Sequence, residues 1–202
     1  MDRRKFLAAG IAGAAFAGGS PSAMASRPLS GDAAIAAAAR MMVERHASRI
    51  RSTDVACLVD FSARSALPRL HLVDMIDGRV ASFLTAHGRG SDPAHTGMLK
   101  HFSNTPGSFA TSRGAYETGA LYDGKYGRAM RLAGLDPDNS NAEARAIVIH
   151  AAWYVSDEMI ARHGKLGRSE GCFALSAQGL EQVLARLGPG RLLHAGKFGD
   201  AV

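Results

Sequence analysis

The run Ala146-Ile147-Val148-Ile149-His150, followed after a connection by Gly167-Arg168-Ser169-Glu170-Gly171-Cys172, is the most informative part of this chain. The first run is apolar and ends in a histidine, which predicts a buried strand with a polar group at its end. The second run places a cysteine in a tight, glycine-flanked turn beside a basic side chain. A thiol becomes a nucleophile when a base and an electropositive, partly exposed setting favour the thiolate. Together the runs predict a cysteine nucleophile, with a buried structural cysteine as the alternative.

Short strands are predicted on both sides of these runs, with turn residues between them. The strand-like segments are 55–61, 69–75, 79–85, 108–111, 115–121, 127–132, 146–150, 172–175 and 191–194. Helices are predicted over 32–51, which Asp32 would cap, and from Ser176 to 187, with a short one at 156–162. Many short strands with only two good helices predict a mainly β fold, sandwich- or barrel-like, with an N-terminal helix and one C-terminal helix.

Residues 1–25 have the features of an export signal. A charged start containing Arg3-Arg4 precedes an apolar stretch, and Ala23-Met24-Ala25 fits a small-residue cleavage site. The arginine pair resembles the twin-arginine signal for export of folded proteins, and an ordinary secretory signal is the alternative. We therefore expect a signal peptide over 1–25, a helical segment over 26–54 and a globular domain over 55–202, located in the periplasm or cell envelope.

Charge narrows the range of partners. The 202-residue chain carries a formal charge of +6, of which residues 1–25 contribute +2, so about +4 remains after cleavage. This mild excess suits work near an anionic polymer such as a cell wall. The chain has no run of lysines or arginines interleaved with aromatic residues, so a nucleic-acid partner is not indicated. After residue 25, no stretch is long and apolar enough to form a stable membrane span.

The chain contains two cysteines, which in an exported protein suggest a disulfide. Cys57 lies within an apolar, strand-like run and is interpreted as a core residue. Cys172 lies in a polar glycine turn. Because these settings differ, two free thiols are favoured, and a Cys57–Cys172 bridge is the alternative.

An ordered series of short motifs runs through the chain at compatible spacing. It comprises Val59-Asp60-Phe61-Ser62, His87-Gly88-Arg89-Gly90-Ser91, Phe102-Ser103-Asn104-Thr105-Pro106-Gly107-Ser108, Tyr122-Asp123-Gly124-Lys125-Tyr126-Gly127, Ile149-His150 and the Gly167–Cys172 run. Over roughly residues 55–194 this series resembles the murein L,D-transpeptidase catalytic-domain family, the YkuD-like enzymes whose cysteine motif reads GRSxGC.

The resemblance implies a mostly β catalytic domain over 55–202 that transfers acyl groups on peptidoglycan stem peptides, with no metal or organic cofactor. By position, Cys172 is the nucleophile and His150 the base. Ser169, Gly171 and Cys172 form the turn whose backbone N–H groups face the developing oxyanion. Family members commonly carry a proline where this chain has Phe173. Stem peptides are the expected partners, and carbapenem-type β-lactams are the expected inactivators.

Five residues are predicted to bind substrate. Arg168 would stabilise the thiolate or a substrate carboxylate, and the others are loop residues that would line or cover a groove: His87, Ser103, Asn104 and Trp153.

Some alternatives stay open at this point. His163 is an alternative base, and His87, His101, His150 and Cys172 are all legitimate zinc ligands. Two other functions fit the same residues. One is an L,D-carboxypeptidase or another cell-wall cysteine hydrolase, which would differ only in the acceptor. The other is a non-catalytic wall-binding module in which Cys172 is structural.

Overall fold

One eight-stranded sheet organises the computed structural model, which describes residues 28–124 and 127–198. Across the sheet the strand order is β3-β2-β1-β8-β4-β5-β6-β7. The β1–β8 and β6–β7 pairs are parallel, and the other neighbours are antiparallel. In chain order the strands are β1 (Val55–Asp60), β2 (Leu70–Asp74), β3 (Val80–Phe83), β4 (Gly114–Gly124), β5 (Gly127–Gly134), β6 (Val148–Ala151), β7 (Phe173–Leu175) and β8 (Leu192–Gly196).

The two edges of this sheet almost meet. Just beyond β3, the Ala86 N–H and the Thr85 hydroxyl both donate to the carbonyl of Ala174 in β7, each at 2.9 Å. A second bridge joins Gly88 to Ser169. The sheet is therefore a nearly closed barrel, which confirms the mainly β, barrel-like prediction and brings the loop after β3 against the cysteine turn.

Strand β1 is buried on both of its faces, one toward the barrel interior and one toward the N-terminal helix. All six of its residues are buried. Cys57 and Val59 belong to the core cluster inside the barrel, whereas Ala56 and Leu58 pack in a second cluster with the N-terminal helix. A strand buried on both faces has a continuous apolar sequence rather than an alternating one. The prediction that Cys57 is a core residue is confirmed, since none of its surface is exposed, and both cysteines are free thiols.

Among residues 28–124 and 127–198, three α-helices accompany the sheet: α1 (Asp32–His46), α2 (Asp157–His163) and α3 (Ala177–Arg186). Ser176 caps α3 as predicted, because its hydroxyl accepts a hydrogen bond from the Gly179 N–H at 3.0 Å. The first helix ends at His46 rather than at residue 51, and a 3₁₀ turn over Ala47–Arg49 follows it. Its N-cap is Gly31, and Asp32 is the first helical residue, which corrects the predicted cap.

The strand predicted over 108–111 was wrong. Phe109 has a positive φ of 53°, which does not fit a strand. The Ala110 carbonyl accepts a hydrogen bond from the side chain of Arg145 instead of from a neighbouring strand. This segment therefore runs as an irregular loop across the cysteine turn.

The predicted export signal over 1–25 lies outside the described residues, as do residues 199–202 at the end of the 55–202 domain. The three-segment division of the chain therefore stays a prediction. Within 28–124 and 127–198, no helix has the length and apolar character needed to cross a membrane.

Candidate active site

His150 lies on β6, and Cys172 directly precedes the neighbouring strand β7. The parallel register sets Ile149 beside Phe173 and His150 beside Ala174. Ile149 and Phe173 both point into the barrel core, where neither is exposed. Cys172 directly precedes Phe173, and His150 directly follows Ile149, so the two residues adjoin one pair of neighbouring positions in the β6–β7 pairing. The structure therefore places the two predicted residues close to each other at this pair of strands.

The ring of His150 is oriented by a backbone carbonyl. Its Nδ1 lies 2.8 Å from the oxygen of Ala151. A carbonyl oxygen only accepts hydrogen bonds, so Nδ1 carries the proton in the neutral ring and Nε2 carries the lone pair. This is the tautomer that a general base requires.

The thiol of Cys172 is half-buried in the turn that precedes β7. Its Sγ lies 3.5 Å from the carbonyl oxygen of Ala146. Burial raises the pKa of Cys172 above its usual value, whereas a backbone hydrogen bond from Val148 and the charge of Arg145 act to lower that pKa. The nearby charge of Glu170 acts in the raising direction. The isolated thiol is thus mainly protonated, and it needs a base to react at neutral pH.

Ser169 holds the cysteine turn with both its side chain and its backbone. Its hydroxyl donates to the Cys172 carbonyl at 2.7 Å and accepts from the Gly171 N–H at 3.2 Å. Its N–H donates to the carbonyl of His87 at 2.9 Å, and its own carbonyl accepts from the Arg89 N–H at 2.7 Å. Of the three N–H groups predicted to face an oxyanion, those of Ser169 and Gly171 are therefore already engaged in holding the turn.

Two glycines allow the backbones to approach each other here. Gly171 has a φ of +120°, and a Cβ placed on it would lie 2.8 Å from the Ile147 side chain and 2.9 Å from the Ala110 carbonyl oxygen. A Cβ on Gly88 would lie 2.3 Å from the Phe109 carbonyl oxygen and 2.8 Å from the Gly171 Cα. Neither position has room for a side chain, so the turn depends on glycine at both.

Phe173 departs from the family's motif, and it is a core residue. Its ring stacks on Phe61 with centroids 6.2 Å apart and meets Tyr116 edge-on at 5.6 Å. Both partners are fully buried. The side chain that follows the nucleophile therefore anchors the turn to the barrel interior.

Arg168 ties the turn to a different loop. Its Nη1 donates to the carbonyl of Asp92 and, at 3.2 Å, to that of Pro93.

Trp153 is 81% exposed and meets the ring of Tyr154 edge-on at 5.8 Å. Tyr154 lies against Gly167, where a Cβ would come within 2.5 Å of it. The exposed indole therefore lies beside the start of the cysteine run.

Ser103 and Asn104 lie in the loop before β4. Asn104 ties that loop to the next one, since its side-chain amide donates to Pro137 and Ser140, both at 3.0 Å, and its oxygen accepts from Asn141 at 3.1 Å. A cavity of about 270 Å³ opens here. Its lining residues are Phe102, Ser103, Asn104, Arg113 and Asp138.

A second and larger cavity, of about 390 Å³, shares with the first the ion-paired lining residues Arg113 and Asp138. Among its lining residues are Asp136, His194 and Lys197. Cys172 lines neither cavity. Within the described residues no group of three or more histidine, cysteine, aspartate or glutamate side chains is arranged to hold a metal ion.

His87 is buried, with 1% of its surface exposed. Its Nδ1 lies 2.8 Å from a guanidinium nitrogen of the fully buried Arg69, and its Nε2 lies 3.6 Å from a carboxylate oxygen of Asp92. The structure thus places this predicted groove residue beneath the turn, where its backbone carbonyl holds Ser169. Burial and the charge of Arg69 lower the pKa of His87 well below its usual value, so its ring is neutral in the folded protein.

This neutral histidine predicts a loss of stability in acid. Below pH about 6.5 the unfolded chain protonates His87 and the folded chain does not, so the free energy of unfolding falls as the pH falls. Glutamine does not titrate. Between pH 7 and pH 5 we therefore expect the free energy of unfolding to fall by about 2 kcal/mol less in the His87→Gln variant than in wild type. Urea unfolding at the two pH values measures this difference. His46, His71 and His194, whose pKa values are also lowered, contribute equally to both proteins. Equal losses in the two proteins would contradict the prediction.

Arg145 is a site residue that the sequence did not single out. Its guanidinium lies beside the cysteine turn and contributes to the electrostatics of Cys172. The one sequence feature that could have indicated Arg145 is its position five residues before His150. The contact arises because the loop before β4 and the cysteine turn meet in the folded chain.

A half-buried thiol in a glycine turn, with an oriented histidine on the adjoining strand, is typical of enzymes that use a cysteine nucleophile. A family model described as the L,D-transpeptidase catalytic domain matches residues 30–195, so this chain belongs to the L,D-transpeptidase catalytic domain family. The resemblance inferred from the motifs is confirmed. No curated protein matches the chain.

Several solved structures are similar to this chain at low identity. An L,D-transpeptidase from Mycobacterium smegmatis is 13% identical with a TM-score of 0.44, covering 71% of this chain and 58% of its own. One from Xylanimonas cellulosilytica is 14% identical with a TM-score of 0.44, covering 72% and 62%. The LD transpeptidase LdtMt1 in complex with imipenem is 12% identical with a TM-score of 0.42, covering 71% and 59%. This chain thus spans about three fifths of each of those chains.

Proposed function

We propose that this protein is an L,D-transpeptidase that transfers acyl groups between peptidoglycan stem peptides in the periplasm or cell envelope. The observation that supports the proposal is the parallel β6–β7 pairing, in which Phe173, directly after the half-buried Cys172, lies beside Ile149, directly before His150. The hydrogen bond from His150 Nδ1 to Ala151 supports the role of Nε2 as the base. Family membership narrows the chemistry to cell-wall acyl transfer.

The first half-reaction forms a thioester. Nε2 of His150 takes the proton of Cys172 Sγ, and the thiolate attacks the amide carbon between a diaminopimelate-type residue and a terminal D-alanine. A sulfur–carbon bond forms, and the carbonyl oxygen becomes an oxyanion. The N–H of Cys172 is the donor we assign to that oxyanion, and one such donor is worth about 3 kcal/mol of barrier. His150 then protonates the departing nitrogen, the carbon–nitrogen bond breaks and D-alanine leaves.

The second half-reaction resolves the thioester. An amine of a second stem peptide attacks the acyl carbon and gives its proton to His150. The new amide forms as the carbon–sulfur bond breaks, and His150 returns the proton to the Cys172 thiolate. Water in place of the amine would yield a shortened stem, which is the carboxypeptidase outcome of the same intermediate.

The other predicted residues are assigned supporting roles. Ser169 and Gly171 build the turn, and Arg168 and His87 hold it against the loop that contains Asp92. Trp153, exposed beside the turn, has a flat apolar surface suited to covering a bound peptide. Ser103 and Asn104 border the cavity of about 270 Å³ and are proposed to line the approach of a stem peptide.

Product masses test this proposal. The purified protein is incubated under reducing conditions with disaccharide tetrapeptide, and the products are read by mass spectrometry. We expect a dimer with the mass of two substrates less one alanine. The His150→Gln variant, which keeps the thiol, should form it at least about 100-fold more slowly. Tripeptide without dimer would replace the proposal by a hydrolase. No product from folded protein would favour a wall-binding module.

A further inference from the structure

The side chain of Arg145 reaches across to the loop before β4. Its Nη1 donates to the Ser103 carbonyl at 2.8 Å and to the Ser112 hydroxyl at 3.3 Å. Its Nη2 donates to the Ser108 hydroxyl at 3.3 Å and to the Ala110 carbonyl. One guanidinium therefore fixes four points of an otherwise irregular loop.

The same guanidinium lies against the nucleophile's turn. Its Nη2 is 3.3 Å from the position that a Cβ would take on Gly171, the residue directly before Cys172. Ala146, the residue directly after Arg145, has its carbonyl oxygen 3.5 Å from Cys172 Sγ. Arg145 and Ala146 thus lie against Gly171 and Cys172.

The partners of Arg145 leave its charge uncompensated. All four are neutral oxygens, and none of the ion pairs among the described residues includes Arg145. Because its hydrogen-bond partners are neutral and burial removes part of the screening solvent, the charge of Arg145 can act on a nearby anion.

The other ionisable groups around the thiol act differently. Glu170 carries the opposite charge, but its side chain is 67% exposed and is paired with Arg89 at 3.2 Å. Solvent and this partner both weaken its effect. His150 is the residue to which the proposed function assigns the proton of the thiol. Arg168, which the sequence suggested as the stabilising cation, directs its Nη1 to the carbonyls of Asp92 and Pro93.

We propose that Arg145 is a positioning residue of this site, whose charge stabilises the Cys172 thiolate and whose forked hydrogen bonds hold the 103–112 loop against the cysteine turn. The inference rests on the nucleophilic role proposed for Cys172. A lysine at this position would keep the charge but lose the fork, since it offers a point charge on a flexible stem. Methionine would lose both. The two variants therefore separate the two parts of the role.

Alkylation by iodoacetamide tests the proposal without requiring turnover. Its rate at Cys172 is measured from pH 5 to pH 10 by following the tryptic peptide Ser169–Arg186, which contains only this cysteine. We expect Arg145→Met to move the midpoint of the profile upward by about one pH unit, which is about tenfold slower alkylation at pH 7. Arg145→Lys should stay close to the wild-type profile while its product formation falls. Arg79→Met, at an exposed hairpin arginine, is the matched control and should change neither.

Near-ultraviolet circular dichroism establishes that each variant is folded. A wild-type profile in folded Arg145→Met would overturn the proposal. Equal upward shifts in the Met and Lys variants would also overturn it, because the loop and not the charge would then be responsible. If the shifts occur as expected but wild type makes no product from stem peptides, the proposed function fails and the electrostatic role of Arg145 stands.

Discussion

Replacing Cys172 by alanine should abolish both peptide turnover and covalent labelling by a carbapenem such as imipenem. The proposed intermediate is a thioester, and removing the sulfur removes the atom that carries the acyl group. Loss of a nucleophile of this kind lowers turnover by a factor on the order of 10⁴ or more. Intact-mass spectrometry of the protein after incubation with imipenem gives the clearest reading. Wild type should gain one adduct, and the Cys172→Ala variant should gain none.

Cys57 supplies the matched control, because it is the other cysteine of the chain. It is fully buried in β1, and burial raises the pKa of its thiol. The Cys57→Ala variant should keep both the adduct and the turnover. We expect it to lose roughly 1 kcal/mol of stability from the small cavity it leaves. An adduct that persists in Cys172→Ala and disappears in Cys57→Ala would transfer the nucleophilic role to β1 and contradict the assignment.

The second large effect is expected from Gly171→Ala. Its φ of +120° is one that L side chains rarely adopt, and the new methyl group would lie 2.8 Å from Ile147 and 2.9 Å from the Ala110 carbonyl oxygen. The turn must therefore shift away from the loop that crosses it. We expect about 2–4 kcal/mol of lost stability from backbone strain and overpacking together. Because the nucleophile is the next residue, labelling by imipenem should slow at least about 100-fold.

Gly164→Ala separates strain from crowding. Gly164 also has a positive φ, +67°, at the end of α2, but nothing lies within 4 Å of a Cβ placed there. Its replacement should cost only the conformational penalty, about 1 kcal/mol, and should leave labelling intact. Urea unfolding and labelling rates are measured on both variants. If Gly171→Ala behaves like Gly164→Ala, close approach at the turn is not what positions the thiol.

Most of the barrel could be predicted from the sequence because its strands have local signals. The apolar run of β1 and the Asp-Gly hairpin signal before β3 are properties of neighbouring residues. The failure at 108–111 has a physical cause that local pattern does not contain. The carbonyl of Ala110 accepts a hydrogen bond from the side chain of Arg145, 35 residues further along the chain, and those of Phe109 and Thr111 accept from backbone N–H groups of other loop residues. A tertiary contact thus replaced the strand pairing that the composition favoured.

In the candidate site, too, some residues have a local sequence signal and others do not. Cys172, His150 and the glycine turn carry recognisable residue types at recognisable spacing. Arg145 had no such signal, since an arginine before a strand is ordinary. His87 had a misleading one, because a histidine in a glycine-rich run is typical of an exposed loop. Its burial depends on Arg69, which reaches it from β2's start, and no local pattern shows that contact.

The near-closure of the barrel has a consequence for when the protein becomes reactive. Thr85 and Ala174, which help to join the two edges, are 89 residues apart in the chain. Contacts of such long range form late in folding, because the entropy of closing the intervening loop must be offset first. Until they form, the cysteine turn lacks the loop after β3, whose backbone at His87 and Arg89 holds Ser169. Given the nucleophilic role proposed for Cys172, we therefore expect a truncated or partly folded chain to be labelled more slowly by a carbapenem than the folded protein.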